Sequence, residues 1–151
     1  MPSRKISLAV SIMVSLIGLT FDEGFTRVYS VGPGQSHANI GDVPWESLSA
    51  GDSVLIHYRE PLYHEKWVIC HAGTESAPIV IRGIPNERGD LPVIDGRDAT
   101  TRAELNFWNE QRGIIKIGGA NKPPDTLPAY IIIENLDIQS GRPPYSFTGR
   151  S

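Results

Sequence analysis

The sequence has one cysteine, Cys70, among 151 residues, so it can form no internal disulfide and no multi-cysteine zinc site. It has no basic excess. Fourteen Lys and Arg stand against seventeen Asp and Glu, a formal net charge of −3, which removes the electropositive face that dedicated nucleic-acid binders carry. Gly32-Pro33-Gly34-Gln35-Ser36-His37 lacks the last glycine of a dinucleotide fingerprint, and no phosphate loop is present. There is no Gly-x-Ser-x-Gly nucleophile elbow and no Asn-x-Ser/Thr glycosylation acceptor. Past the first twenty residues no helical apolar stripe of useful length can be traced. Turn formers are abundant instead. The 15 Gly and 12 Pro make about 18% of the chain, against roughly 12% on average, which argues for many turns and against a helical bundle. The length suits one domain.

Arg4 and Lys5 precede Ile6 to Phe21, a stretch without a charge. A short basic region before an apolar one is the pattern of a secretory signal peptide, and the stretch is short of the ~20 apolar residues of a spanning helix. Gly18-Leu19-Thr20 offers small residues at cleavage spacing without an Ala-x-Ala, so an uncleaved signal anchor stays open. Residues 1–20 carry two basic residues and no acidic one, and their removal takes the net charge from −3 to −5. The mature chain is expected to be secreted or periplasmic, with no membrane contact after cleavage.

Short β-branched runs fill the rest. They are Val54-Leu55-Ile56, Val68-Ile69, Ile79-Val80-Ile81 before Gly83, Val93-Ile94 before Gly96, Ile114 to Ile117 before Gly118, and Ile131-Ile132-Ile133 before Asn135. Val54 to Ile79 and Val68 to Val93 are each 25 residues apart, and Ile79 to Ile131 is 52, two steps of 26. The middle step falls at Leu105, although Thr100 to Asn109 reads equally as a short helix. A recurring interval of this size marks a solenoid, and short strands turned by Gly or Asn specify a parallel β-helix. This spacing predicts Val54 beside Ile79 and Val68 beside Val93.

Triplets of apolar residues suit parallel strands covered on both faces. Val54, Ile56, Ile79, Ile81, Ile131 and Ile133 are expected to point inward. Leu55, Val80 and Ile132 face out beneath some covering segment. Arg27 to Val31 reads as a strand and Gly32-Pro33-Gly34 as a turn. Asp42 is expected to cap a short helix through Trp45 and Leu48. The organisation is then a signal peptide helix at 1–20, a strand and cap at 21–53, and the first rungs of an all-β, right-handed parallel β-helix at 54–151.

Leu48-Ser49-Ala50-Gly51-Asp52-Ser53-Val54-Leu55-Ile56 resembles the entry strand of the pectate-lyase-like superfamily of right-handed parallel β-helix proteins. Ala72-Gly73-Thr74-Glu75-Ser76-Ala77-Pro78-Ile79-Val80-Ile81-Arg82-Gly83 is similar to the stretch that follows it there. Pro92 to Gly96 and Tyr130 to Ile138 look like later rung strands, so the resemblance spans about residues 27–140. It implies a carbohydrate-active protein, a polysaccharide lyase or glycoside hydrolase, acting on acidic glycans. Members of the superfamily are usually several hundred residues long. The chain therefore reads as the N-terminal part of a longer protein, inactive by itself. The rival reading is a non-catalytic surface or adhesive scaffold. Substrate and oligomeric state are not legible.

A lyase needs a base beside the uronate carboxylate and a cation to neutralise it. Arg82 and Lys116 are the candidates, each facing outward if Ile81, Ile115 and Ile117 face in; the plain alternative is a solvated rung position. Trp108, with Phe107 and polar neighbours, offers a face for a sugar ring or simply packs on the wall. His57, His64, Cys70 and His71 match no zinc spacing, so no metal is assigned. Cys70 is expected as a buried small hydrophobe. No cofactor is expected. Calcium in the complete protein would draw on Asp95, Asp98 or Asp137, which form no recognised loop.

Overall fold

The computed structural model describes residues 26–106 and 113–141. Residues 1–20, expected as a signal peptide, and Phe107 and Trp108 lie outside the described residues. The β-branched runs become strands β1 (Val28–Val31), β2 (Ser53–His57), β3 (Trp67–Ile69), β4 (Ile79–Ile84), β5 (Val93–Asp95), β6 (Ile115–Ile117), β7 (Ile131–Glu134) and β8 (Asp137–Gln139). Every pairing between them is parallel. Helix among the described residues is limited to three single 3-10 turns, at Ile40–Asp42, Trp45–Ser47 and Ala103–Leu105. The protein is an all-β assembly of parallel sheets.

Three sheets share the strands: β1-β2-β4-β7, β3-β6 and β5-β8. The chain visits them in a fixed cyclic order. From β2 it passes Tyr63, which bridges Ile94 of β5, and then enters β3. It returns through β4, β5 and β6, and again through β7 and β8. Each strand therefore lies beside its counterpart from the previous circuit.

Side-chain alternation makes the core. Tyr29, Val54, Ile81 and Ile133 stand in one register column and face inward, the first three buried and Ile133 packed against the cluster. The neighbouring column, Ser30, Leu55, Arg82 and Glu134, faces out. Leu55 and Val80 are half-buried, whereas Ile132 is 41% exposed, so the expected cover over that face does not extend to β7.

The register differs from the one the spacing predicts. Val54 pairs with Ile81, not Ile79, because the first circuit is two residues longer than the interval between apolar runs. Val68 pairs with Lys116 and Val93 with Asp137; their separation from each other is coincidental, since they belong to different sheets. Ile79 pairs directly with Ile131. The 52 residues are one circuit with long loops, and Leu105 is not a missing strand. It ends a 3-10 turn and its side chain is buried in the common core.

Gly83 does not end β4 but runs within it. A Cβ there would lie 1.7 Å from the Asn135 carbonyl oxygen, so close passage of the next circuit's turn demands glycine. Asn135 itself has φ +57°, a left-handed conformation that asparagine tolerates well.

The cap also differs in detail. Asp42 closes the turn Ile40–Asp42, with its carboxylate accepting the Asn39 N–H at 2.9 Å, and Pro44 starts the separate turn Trp45–Ser47. A proline disfavours helical backbone at the residue before it, so one continuous helix through Trp45 is prevented. The buried Trp45 indole stacks on Trp67, centroids 5.5 Å apart, and donates Nε1–H to the Ile40 carbonyl at 2.8 Å. Buried Asp52 fastens the entry to β2 by accepting the N–H groups of Arg27 and Ser49 at 2.8 and 2.9 Å.

Candidate functional site

Arg82 projects from β4, and its counterpart in register on β7 is Glu134. The guanidinium Nε lies 2.5 Å from the Glu134 carboxylate, so its charge is already met. Lys116 sits on β6, in a different sheet. Its neighbours Ile115 and Ile117 share one face of the strand but are not both enclosed: Ile115 packs partly buried against the core, whereas Ile117 is 53% exposed. Among the described residues β6 has a partner on one side only, so its apolar side chains are not enclosed as those of β2 and β4 are. Lys116 lines an open cleft of about 540 Å³ with Gly119, Pro124, Asp125 and Thr126. Arg82 is not part of that cleft. Trp108 lies outside the described residues.

A larger groove, about 670 Å³, forms where the 3-10 turn Ile40–Asp42, the loop after β2 and the strand-like segment near Thr100 meet. Glu65 bridges Thr100 in parallel fashion, which draws the 100–102 segment beside the cap. Arg59 donates to the Ala38 carbonyl at 3.0 Å and to Asn39 Oδ1 at 3.3 Å. Its guanidinium lies 3.8 Å above the Tyr63 ring, an arrangement that holds a cation against an aromatic face. Glu65 accepts the Gly41 N–H at 2.6 Å through Oε2, while Oε1 stands 3.7 Å from Arg59. Arg102 donates to the Val43 carbonyl at 3.0 Å and pairs with Glu46. His64 Nδ1–H donates to the Arg97 carbonyl at 3.1 Å.

Burial dominates the titration of two neighbours. It pushes the Tyr63 hydroxyl up to about 12, and that hydroxyl donates to the His57 carbonyl at 2.7 Å. Burial also pushes the Cys70 thiol up, away from the thiolate needed for nucleophilic chemistry. His71 Nε2–H donates to the Glu46 carbonyl at 2.6 Å. Among the described residues no three His, Cys, Asp or Glu side chains cluster as a metal would require. Asp95 is held by Arg97, and Asp137 accepts from Gln139 on the surface.

The groove beside the cap was not legible in the sequence. Its residues come from three segments spread between 39 and 102, brought together by the Glu65–Thr100 bridge, the Gly41–Glu65 hydrogen bond and the contacts of Arg59 and Arg102 with the cap, none of which the spacing of the sequence records. No family model matches the chain, and no curated protein or solved structure matches it.

Proposed function

We propose that the described residues are successive turns of a right-handed parallel β-helix in a secreted, carbohydrate-active protein that engages acidic polysaccharide. The observation that carries the reading is the cyclic order of the three parallel sheets, repeated from β2 through β8. Right-handedness follows from the strong preference of parallel crossover connections. Export is supported by the basic-then-apolar N-terminus, Arg4-Lys5 before Ile6 to Phe21. The glycan class rests on the resemblance of the entry strands.

In β-elimination a base takes the proton beside the uronate carboxylate. The glycosidic carbon–oxygen bond at the β position then breaks, and the leaving oxygen takes up a proton. Lys116, which lines the cleft beside β6, is the basic residue assigned to contact such a polymer. A second reading, a non-catalytic scaffold, is favoured by the Arg82–Glu134 pair, which cancels charge on the outward face of β4 and β7. Affinity electrophoresis through gels containing polygalacturonate or alginate, together with ultraviolet detection of unsaturated uronate, separates the two. Retardation that Lys116→Ala weakens is expected. Unchanged mobility in both gels, with no unsaturated product, sinks the acidic-glycan reading and leaves the scaffold.

A further inference from the structure

Ile117 stands in register with Ile69, which is fully buried, yet Ile117 itself is exposed. The stacking of circuits explains the contrast. β7 and β8 each add a strand above β4 and β5, whereas among the described residues the β3-β6 sheet ends at β6. The third side is therefore one strand short of the other two, a step of about 4.8 Å. A second copy resting on the raised rim of β7 and β8 would leave that step unfilled. β6 also offers main-chain groups there. The Gly118 N–H donates to the Ile69 carbonyl at 3.0 Å. Successive residues of a strand turn their main-chain groups to opposite sides, so the N–H groups of Ile115 and Ile117 turn away from β3, toward the step.

The chain itself leads to this edge. After β8 the described residues stop at Gly141, where an added Cβ would lie 3.8 Å from Ile114 Cδ1, at the entrance to β6. Residues 142–151 follow in the sequence. Tyr63, Ile94 and Ile138 stand in one column, and in the first circuit four residues carry the chain from Tyr63 to Trp67 of β3. The same corner taken from Ile138 arrives at Arg142. Pro143 and Pro144 have no N–H to give a ladder and suit the corner. Tyr145-Ser146-Phe147-Thr148 comes next, a run of strand formers in which aromatic and hydroxyl side chains alternate.

We propose that the open side of β6 is a docking edge for residues 145–148 of the same chain, added as a parallel strand with Tyr145 opposite Ile115 and Phe147 opposite Ile117. Tyr145 then extends the column of Trp67 and Ile115, and Phe147 that of Ile69 and Ile117. Ser146 falls beside Lys116 on the outward face, and its N–H meets the Ile115 carbonyl. Two aromatic rings thus close this side of the core, as Trp45 closes its other end by stacking on Trp67. The inference rests on the β-helix part of the functional reading and not on the glycan class.

Amide exchange of the full chain, followed residue by residue by nuclear magnetic resonance, tests the edge directly. The Ile115 and Ile117 amides are expected to exchange at least about tenfold more slowly than in the Ser146→Pro variant, which lacks the ladder donor. Thiol labelling gives a second reading, because Cys70 is buried and stays silent. Ile117→Cys is expected to react slowly beside Leu127→Cys, at a position 94% exposed, and adding Phe147→Ala is expected to restore fast labelling. Where Ser146→Pro unfolds the whole chain, Phe147→Ala decides in its place; where Ile117→Cys does not fold, the amides decide. Unprotected Ile115 and Ile117 amides in a chain whose β2 and β4 amides are protected overturn the proposal alone. Loss of protection in β2 and β4 as well overturns the β-helix beneath it. Protection that Ser146→Pro and Phe147→Ala both leave intact assigns the cover to another segment, and protection that fades on dilution assigns it to a second copy; either result overturns the proposal.

Discussion

Asp95 illustrates what a single residue can reveal. It is fully buried at the end of β5, where an unpaired carboxylate would be costly. Arg97 relieves that cost by folding back two residues. Its main-chain N–H reaches Oδ1 at 2.9 Å, and its guanidinium reaches Oδ2 at 2.6 and 2.9 Å. These bonds, with a contribution from Ser140, hold the carboxyl well below the usual carboxylate range. The unfolded chain takes up the proton first, near pH 4. The stabilisation is therefore complete above that pH and declines as the pH falls toward the folded group's own titration. Asp95→Asn is expected to lower the urea midpoint at neutral pH. The gap from the parent should narrow steadily below about pH 4. Equal midpoints at neutral pH would refute the role. In the sequence Asp95 stands out only as a possible calcium oxygen, since nothing in Asp95-Gly96-Arg97 shows that the turn brings guanidinium onto carboxylate. Burial of Cys70, by contrast, is legible from its place after an apolar run.

At the scale of the strand, period-two alternation on β4 was open to reading and the register was not. Ile79-Val80-Ile81-Arg82 places every second residue inward whatever its partner, because the pleat alone decides it. Which residue lies opposite depends on how much chain the intervening loops take up. Apolar runs do not record that length, so Val54 meets Ile81 rather than Ile79. The alternation has a sharp consequence. Ile81 is buried in the inward column, and Ile81→Asp loses ~2–5 kcal/mol of aliphatic packing besides the desolvation of a charge. That exhausts much of the ~5–15 kcal/mol typical of a domain. Arg82→Gln, one residue further on, breaks only an exposed pair with Glu134, worth ~0–1 kcal/mol. Urea melts should show the first variant largely unfolded and the second close to the parent. Similar midpoints would mean that inward and outward faces are wrongly assigned.

For the whole molecule, the parallel all-β class was legible because turn-bounded β-branched triplets leave few other architectures. The groove beside the cap was not, because it exists only where circuits of unequal length bring the cap, the post-β2 loop and the 100–102 segment together. The same stacking predicts a gradient of stability along the molecule. One end of the core is closed by Trp45 on Trp67, with Ile40, Val43 and Leu48 buried around them. Strands β2 and β4 each have a parallel partner on both sides, so their amides are held in ladders and screened from water. At the other end, among the described residues, β7 pairs only with β4, and β8 only with β5. Ile132 and Ile138 there are 41% and 47% exposed. Local opening needs less free energy where fewer apolar contacts and ladder bonds must be broken. Hydrogen–deuterium exchange is therefore expected to be slowest for peptides covering β2 and β4, and markedly faster for those covering β7 and β8. Among the described residues β7 has a partner on one side, and its other side is where a further strand would pair. Slow exchange at β7 equal to that at β4 would therefore mean that a further layer covers the edge, and would overturn the gradient.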